Sequence, residues 1–271
     1  ETIMKRMKEI LSHVHIRSLL KALVWTILLS FAYNIAYIAI GNISDGRLYY
    51  GAQIVLSLLS SIGFYKICTL AWTPKKEKLT FEVLLRVLIF QGIEILLVSA
   101  ILVPLAAVFA SNMIVSVIVQ LVSAAILIFI IPVQLLYYYA LFLQKTTWKE
   151  IRQFIQTVFR SHYRSILNAY CALLLLVMAV DTFTGGPFSL AQGFYVPGVL
   201  SNLLYCGNPL FSWMYVLYLT AAFSLPLSSM FAVLFFLFVI GCMYAYLDLN
   251  YVGYIQEVCT DRGTKRSKAH R

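Results

Sequence analysis

The sequence predicts an all-α, polytopic membrane protein with about six transmembrane helices. Three observations carry that expectation. The 271 residues are 61% hydrophobic and only 12% charged, about half the charge of an ordinary soluble domain, and the mean hydropathy is +0.85. The apolar residues form continuous runs long enough to cross a hydrocarbon core, which takes about 20 residues per helix. A β-barrel would instead show alternating segments of about 10 residues. Finally, the cations are distributed unevenly between the two ends of these runs, as the positive-inside rule requires.

Taken in order, residues Met4 to Val14 read as an amphipathic interfacial helix, with Met4, Met7, Leu11 and Val14 on one stripe and Lys5, Lys8 and Glu9 off it. The basic N-terminal segment and the long run behind it predict an uncleaved signal-anchor. The first span is expected over Leu19 to Ile40, a short turn over Gly41 to Arg47, and the second span over Tyr50 to Trp72. Thr73 can cap a helix with Pro74 in its first position. The third span follows over Leu84 to Ala110, a tight turn at Ser111 and Asn112, and a fourth span over Met113 to Phe142 with a kink or strong tilt expected at Pro132.

The stretch from Thr147 to Ala169 is a long charged helical segment in an otherwise apolar chain. Thr147 and Glu150 fit a capping box. Trp148, Ile151, Ile155, Val158 and His162 define one face, and Lys149, Arg152, Gln156 and Arg160 another. This predicts a second amphipathic helix lying in the interface, followed by a fifth span over Ile166 to Phe183. From Thr182 to Leu247 there is no charged residue. That stretch divides into a Gly/Pro-rich part, an outer re-entrant or interfacial segment over Leu210 to Leu225, and a last span after Pro226 that ends near Tyr251. Residues 261–271 read as a disordered basic tail.

All but one of the 21 Lys and Arg fall on one side of this layout, Arg47 being the exception. Both termini are therefore expected in the cytosol of a multi-pass protein of the plasma (inner) membrane. The net charge of +10 belongs to this asymmetry and to anionic headgroups rather than to nucleic acid. The octet His15 to Ala22 (HIRSLLKA) is echoed by His162 to Ala169 (HYRSILNA), each opening a span. That placement fits a single membrane domain built as a parallel repeat of residues 1–144 and 145–260.

An ionisable residue inside a span is a functional candidate by default, and Glu94 is one. Either it pairs with Lys66 or lines a polar cavity with Gln91, or it is a structural group satisfied by Gln91 or a neighbouring helix while Lys66 reaches the surface. Gln120 and Gln134, with Ser123 beside them, share a face of the fourth span. They line a polar route or make hydrogen bonds between helices. Arg17, Arg164, His15, His162, Arg152 and Arg160 are candidates for anionic lipid headgroups. Tyr137, Tyr138 and Tyr139, and the set Tyr244, Tyr246, Tyr251 and Tyr254, read as an aromatic belt. The sequon Asn42-Ile43-Ser44 lies too near the membrane for glycosylation.

The five cysteines stand singly and make no metal or redox spacing. The sequence carries no phosphate-binding loop, nucleophile elbow or zinc-protease motif, so neither a catalytic set nor a cofactor or metal site is expected.

The stretch from Ala140 to Leu167 (ALFLQKTTWKEIRQFIQTVFRSHYRSIL) resembles a mid-chain feature of uncharacterised bacterial multi-pass families and of the membrane domain that accompanies some glycerophosphodiester phosphodiesterases. In those proteins a cytoplasmic amphipathic segment steps through basic and aromatic residues into a helix. The resemblance implies a bacterial plasma-membrane origin and an accessory role, and it carries no catalytic residues over.

Two functional expectations follow. The first is a non-catalytic membrane component that organises lipid or a membrane-protein partner through its basic segments. The second is a transporter, or transporter subunit, for a small molecule or lipid, with Glu94, Lys66, Gln91, Gln120 and Gln134 along the route. An intramembrane lipid enzyme ranks below both for want of a nucleophile or metal set.

Overall fold

The computed structural model describes residues 16–72, 80–109, 113–143 and 147–183, together with single helical positions at Met4, Lys5, Lys8, Ser228, Phe231, Phe235, Val252, Ile255 and Gln256. Among the described residues the fold is all-helical, with no strand. Five long helices follow one another: α1 (Ile16–Gly41), α2 (Gly46–Trp72), α3 (Phe81–Phe109), α4 (Met113–Phe142) and α5 (Trp148–Phe183). Three stretches are long and apolar enough to cross a membrane, Ile16–Gly41, Gly46–Leu70 and Phe81–Ile101, and a shorter apolar stretch covers Ile128–Phe142.

Local chemistry sets the ends. Asp45 caps α2: its Oδ1 accepts from the amides of Arg47 at 2.8 Å and Leu48 at 3.2 Å, so one carboxylate satisfies two of the orphan donors of the first turn. Thr80 caps α3 by accepting from the Val83 amide at 3.4 Å; Thr73 and Pro74 lie outside the described residues, as do Ser111 and Asn112. The capping box of α5 forms reciprocally. The Glu150 amide donates to Thr147 Oγ1 at 3.2 Å, and the Thr147 amide donates to Glu150 Oε2 at 3.3 Å. Both α3 and α4 continue through an internal proline, Pro104 and Pro132.

Small and polar residues join the aromatic and aliphatic core where α1 meets α2, and large apolar residues also cover the outside. On α1, Ala22, Leu23, Thr26 and Ser30 are buried, a single stripe at helical spacing. It meets α2 closely: a Cβ added to Gly63 would come within 2.9 Å of Leu29 Cδ1, so glycine lets the two backbones approach. The outward faces of α1 to α3 carry Ile16, Leu28, Ile38, Leu59, Ile89 and Leu96, all exposed.

Helix α4 is the hub. Ile131, Pro132 and every residue from Gln134 to Leu141 are buried; a helix apolar all round must be surrounded. This corrects the aromatic-belt reading of Tyr137, Tyr138 and Tyr139. All three are interior and knit α4 to its neighbours, Tyr138 edge-on to Tyr65 at 5.5 Å, Tyr139 edge-on to Trp72 at 4.9 Å and Tyr137 stacked on Phe90 at 4.1 Å. A tyrosine ring tolerates burial where neighbouring rings offer edge and face contacts. The second tyrosine set lies outside the described residues. Val252 and Ile255, just past the expected end of the last span, belong to the same buried cluster.

The charged mid-chain stretch also differs from expectation. It is not a separate flat helix joined at a bend to a span. It is the first half of α5, one unbroken helix of 36 residues, about 54 Å long. Ile151, Phe154 and Val158 are buried, and Phe154 meets Tyr139 with ring centres 6.3 Å apart. The apolar face therefore rests on the bundle, and no helix-breaking residue interrupts the run into the apolar half.

Candidate functional site

Most of the buried polar side chains with described positions on α2, α3 and α4 lie toward one end of the bundle, Thr69 on α2 being the exception. Tyr65, Phe90 and Tyr138 mark a common level on α2, α3 and α4, with ring centres 5.5 Å apart for Tyr65–Tyr138 and 6.5 Å for Phe90–Tyr138. From that level Glu94 is one turn onward along α3, while Ser61 and Ser60 are one turn back along α2 and Gln134 one turn back along α4. Contacts set the directions: Tyr137 reaches Arg86 and Gln134 reaches Gln91, so α3 and α4 run antiparallel. All four residues are thus displaced toward the same end of the bundle, by roughly 6 Å at 1.5 Å per residue.

The register of α3 explains its share. Val87, Gln91, Glu94 and Val98 are all buried, spaced as one stripe of a helix facing a core. That stripe carries an amide and a carboxyl at its centre. Gln134 Nε2 donates to Gln91 Oε1 at 3.2 Å and to Tyr138 Oη at 3.3 Å, which ties α3 to α4. The hydroxyl of Tyr137 donates to the Arg86 carbonyl at 3.2 Å, a second tie one turn away. On α1 and α2 the buried hydroxyls bond their own helices, Thr26 to the Ala22 carbonyl at 2.8 Å and Ser61 to the Leu58 carbonyl at 2.6 Å.

Glu94 is the one acid among the buried polar side chains of the described residues. It is 3% exposed, and both carboxylate oxygens are buried with no hydrogen-bond partner among the described residues. Gln91 Nε2, one turn below on the same stripe, is also buried without an acceptor. Of the alternatives read from the sequence, neither a pairing of Glu94 with Lys66 nor a hydrogen bond from Gln91 is made among the described residues. Lys66, half-buried, follows Tyr65 in sequence, so its Cα lies roughly 7 Å along the bundle axis from that of Glu94. Arg86, largely buried and two turns before Glu94 on α3, is bound to the exposed Glu82 at 2.6 Å.

Of the remaining candidates, Gln120 lies on α4, but its side chain and that of Ser123 are outside the described residues, as is His15. Arg17 is exposed in the first turn of α1. Arg152, Arg160 and Arg164 are exposed on α5, and His162 is half-buried there. Arg164 folds back on its neighbour: its Nε donates to Tyr163 Oη at 2.9 Å, and the guanidinium sits 5.7 Å from that ring centre. Sequence reasoning passed over Ser60, Ser61, Tyr65 and Tyr138. The paired serines inside an apolar run were the legible signal for α2; nothing in the sequence separated Tyr138 from its two neighbours.

Among the described residues no group of three or more His, Cys, Asp or Glu could hold a metal ion. What remains is a network of two glutamines and a tyrosine beside one carboxyl that the bundle leaves unbalanced. Comparison with protein-family models, curated proteins and solved structures returns no match, so the functional reading rests on these residues themselves.

Proposed function

We propose that this chain is a non-catalytic, multi-pass component of the plasma membrane with about six spans and both termini in the cytosol, and that it organises anionic lipid headgroups, or a membrane-protein partner carrying the same charge, along the basic face of α5. The observation that carries this reading is the division of α5. Its apolar face is buried on the bundle at Ile151, Phe154 and Val158, while Arg152, Gln153, Gln156, Arg160 and Arg164 face outward. A helix held this way presents its cations at fixed spacing, and each Lys or Arg near an anionic surface contributes about 1 kcal/mol. The greasy exterior of α1 to α3, with Leu96 71% exposed and Ile38 65% exposed, supports lipid rather than water around the bundle. The 30 residues of α4, which include no charged side chain, support a further span.

The test is lipid retention. The protein is extracted in mild detergent, and co-purifying lipids are quantified by mass spectrometry. The wild type is expected to be enriched in anionic lipid over the bulk membrane. The triple change Arg152→Glu, Arg160→Glu and Arg164→Glu is expected to abolish the enrichment while leaving the helical circular-dichroism signal intact. Equal anionic lipid in both preparations would overturn the reading.

A second reading, transport of a small molecule or lipid along a polar route near Glu94, is favoured by one observation: a carboxyl at mid-depth with no partner among the described residues. Buried ionisable groups of this kind mark substrate and ion pathways.

A further inference from the structure

Moving an ionised carboxylate out of water without a partner is costly enough that some positive charge or proton must accompany it. Among the described residues, the titratable and cationic groups on the neighbouring helices do not do this. On α2, Lys66 lies a turn below and makes no bond to either carboxylate oxygen. Tyr65 on α2 and Tyr138 on α4 mark the same lower level, and Tyr137 is committed to the Arg86 carbonyl. Arg86 on α3 is engaged with Glu82, and Arg17 and Lys21 on α1 are exposed. The Gln91 amide can offer Glu94 an N–H, which helps a carboxylate but does not balance its charge.

We propose that Glu94 is a binding site for a single monovalent cation, a proton or an alkali-metal ion, beside the buried amides of Gln91 and Gln134. One carboxyl carries one negative charge, and the other acids with described side chains, Asp45, Glu82 and Glu150, are all exposed near helix starts, so a divalent ion would be left half-balanced. A neutral oxygen on the same stripe can contribute: Gln91 Oε1 keeps a free lone pair even when hydrogen-bonded. The hydrogen bond from Gln134 to Gln91 holds the amide in place, which makes occupancy of Glu94 a matter that α3 and α4 sense together. The inference deepens the second reading above by naming its ligand class, and it rests on the bundle being embedded in lipid.

The test uses the full-length protein in phosphatidylcholine vesicles and dicyclohexylcarbodiimide, an apolar reagent that modifies carboxyl groups in their protonated form. The adduct at Glu94 is quantified by peptide mass spectrometry across a pH series, in choline buffer and in sodium or potassium buffer of equal ionic strength. Labelling of Glu94 is expected, falling about tenfold per pH unit above its midpoint as a one-proton site requires. A proton-only site gives the same curve in all three salts, whereas an alkali-metal site gives less labelling in sodium or potassium than in choline. Glu94→Gln removes the adduct, and its thermal unfolding midpoint no longer responds to pH or salt where the wild type's does. No labelling at any pH, or labelling indifferent to both pH and salt, would overturn the proposal. Failure of the protein to stay in the vesicles after alkaline carbonate washing would instead defeat the membrane reading on which it rests.

Discussion

Gln134 is the residue on which the α3–α4 contact turns, because its one amide nitrogen serves both Gln91 and Tyr138. Replacing it with leucine keeps the volume and leaves Gln91 with neither end of its amide satisfied. The expected loss is about 1–3 kcal/mol for stranding a buried polar group, read as a lower thermal midpoint in detergent. Gln134→Glu is the informative companion, since it adds a second acid to the polar layer and should weaken the protein more than leucine does. At the caps the effects are smaller. Asp45→Ala removes the acceptor for two amides of the first turn of α2 and should cost about 1 kcal/mol, detectable as faster amide exchange at Arg47 and Leu48. Glu94 and Gln91 could be picked out of the sequence because charge and amide are rare in apolar runs. Their relation to Lys66 could not, because pairing across helices depends on axial register, and one turn of offset separates the two groups.

On the element scale, α5 is the clearest departure from a reading of composition. An amphipathic half followed by an apolar half reads as two helices, one flat and one spanning. The chain carries no glycine or proline between Trp148 and Phe183, so nothing stops the backbone hydrogen bonds from continuing. Its face pattern was legible in part: Ile151 and Val158 were expected together and are buried together, and Phe154 joins them where Trp148 stays half in the open. Ser161→Pro should break this continuity. It removes one helical hydrogen bond, clashes with the Thr157 carbonyl and costs about 3 kcal/mol. A spin label at Gln156 should then move more freely than in the parent protein, and an unchanged spectrum would mean that the two halves are already independent. Between α1 and α2, Gly63→Leu should force Leu29 aside and cost about 1–3 kcal/mol by overpacking, seen as a lower midpoint with helix content retained.

For the whole molecule, the sequence spoke most clearly about class and least about placement. Run length and low charge implied an all-helical chain, and the described residues are all-helical with three stretches long and apolar enough to cross a membrane. Tyrosines near a helix end look alike whether they face headgroups or other helices, which is why the interior aromatic cluster around α4 was not legible. The arrangement of polar layer, aromatic cluster and basic strut has meaning only if the end holding the α1–α2 turn and the end holding the start of α5 face opposite compartments. Charge counting makes that the central claim, and cysteine accessibility measures it most directly. Single changes Ser44→Cys in the α1–α2 turn and Gln156→Cys on α5, both exposed positions, are introduced after replacing the native cysteines with serine. Intact cells are treated with a membrane-impermeant maleimide. Labelling of Ser44→Cys from outside, with Gln156→Cys reacting only after permeabilisation, is the predicted result; labelling of Gln156→Cys in intact cells, or of both positions alike, would contradict it.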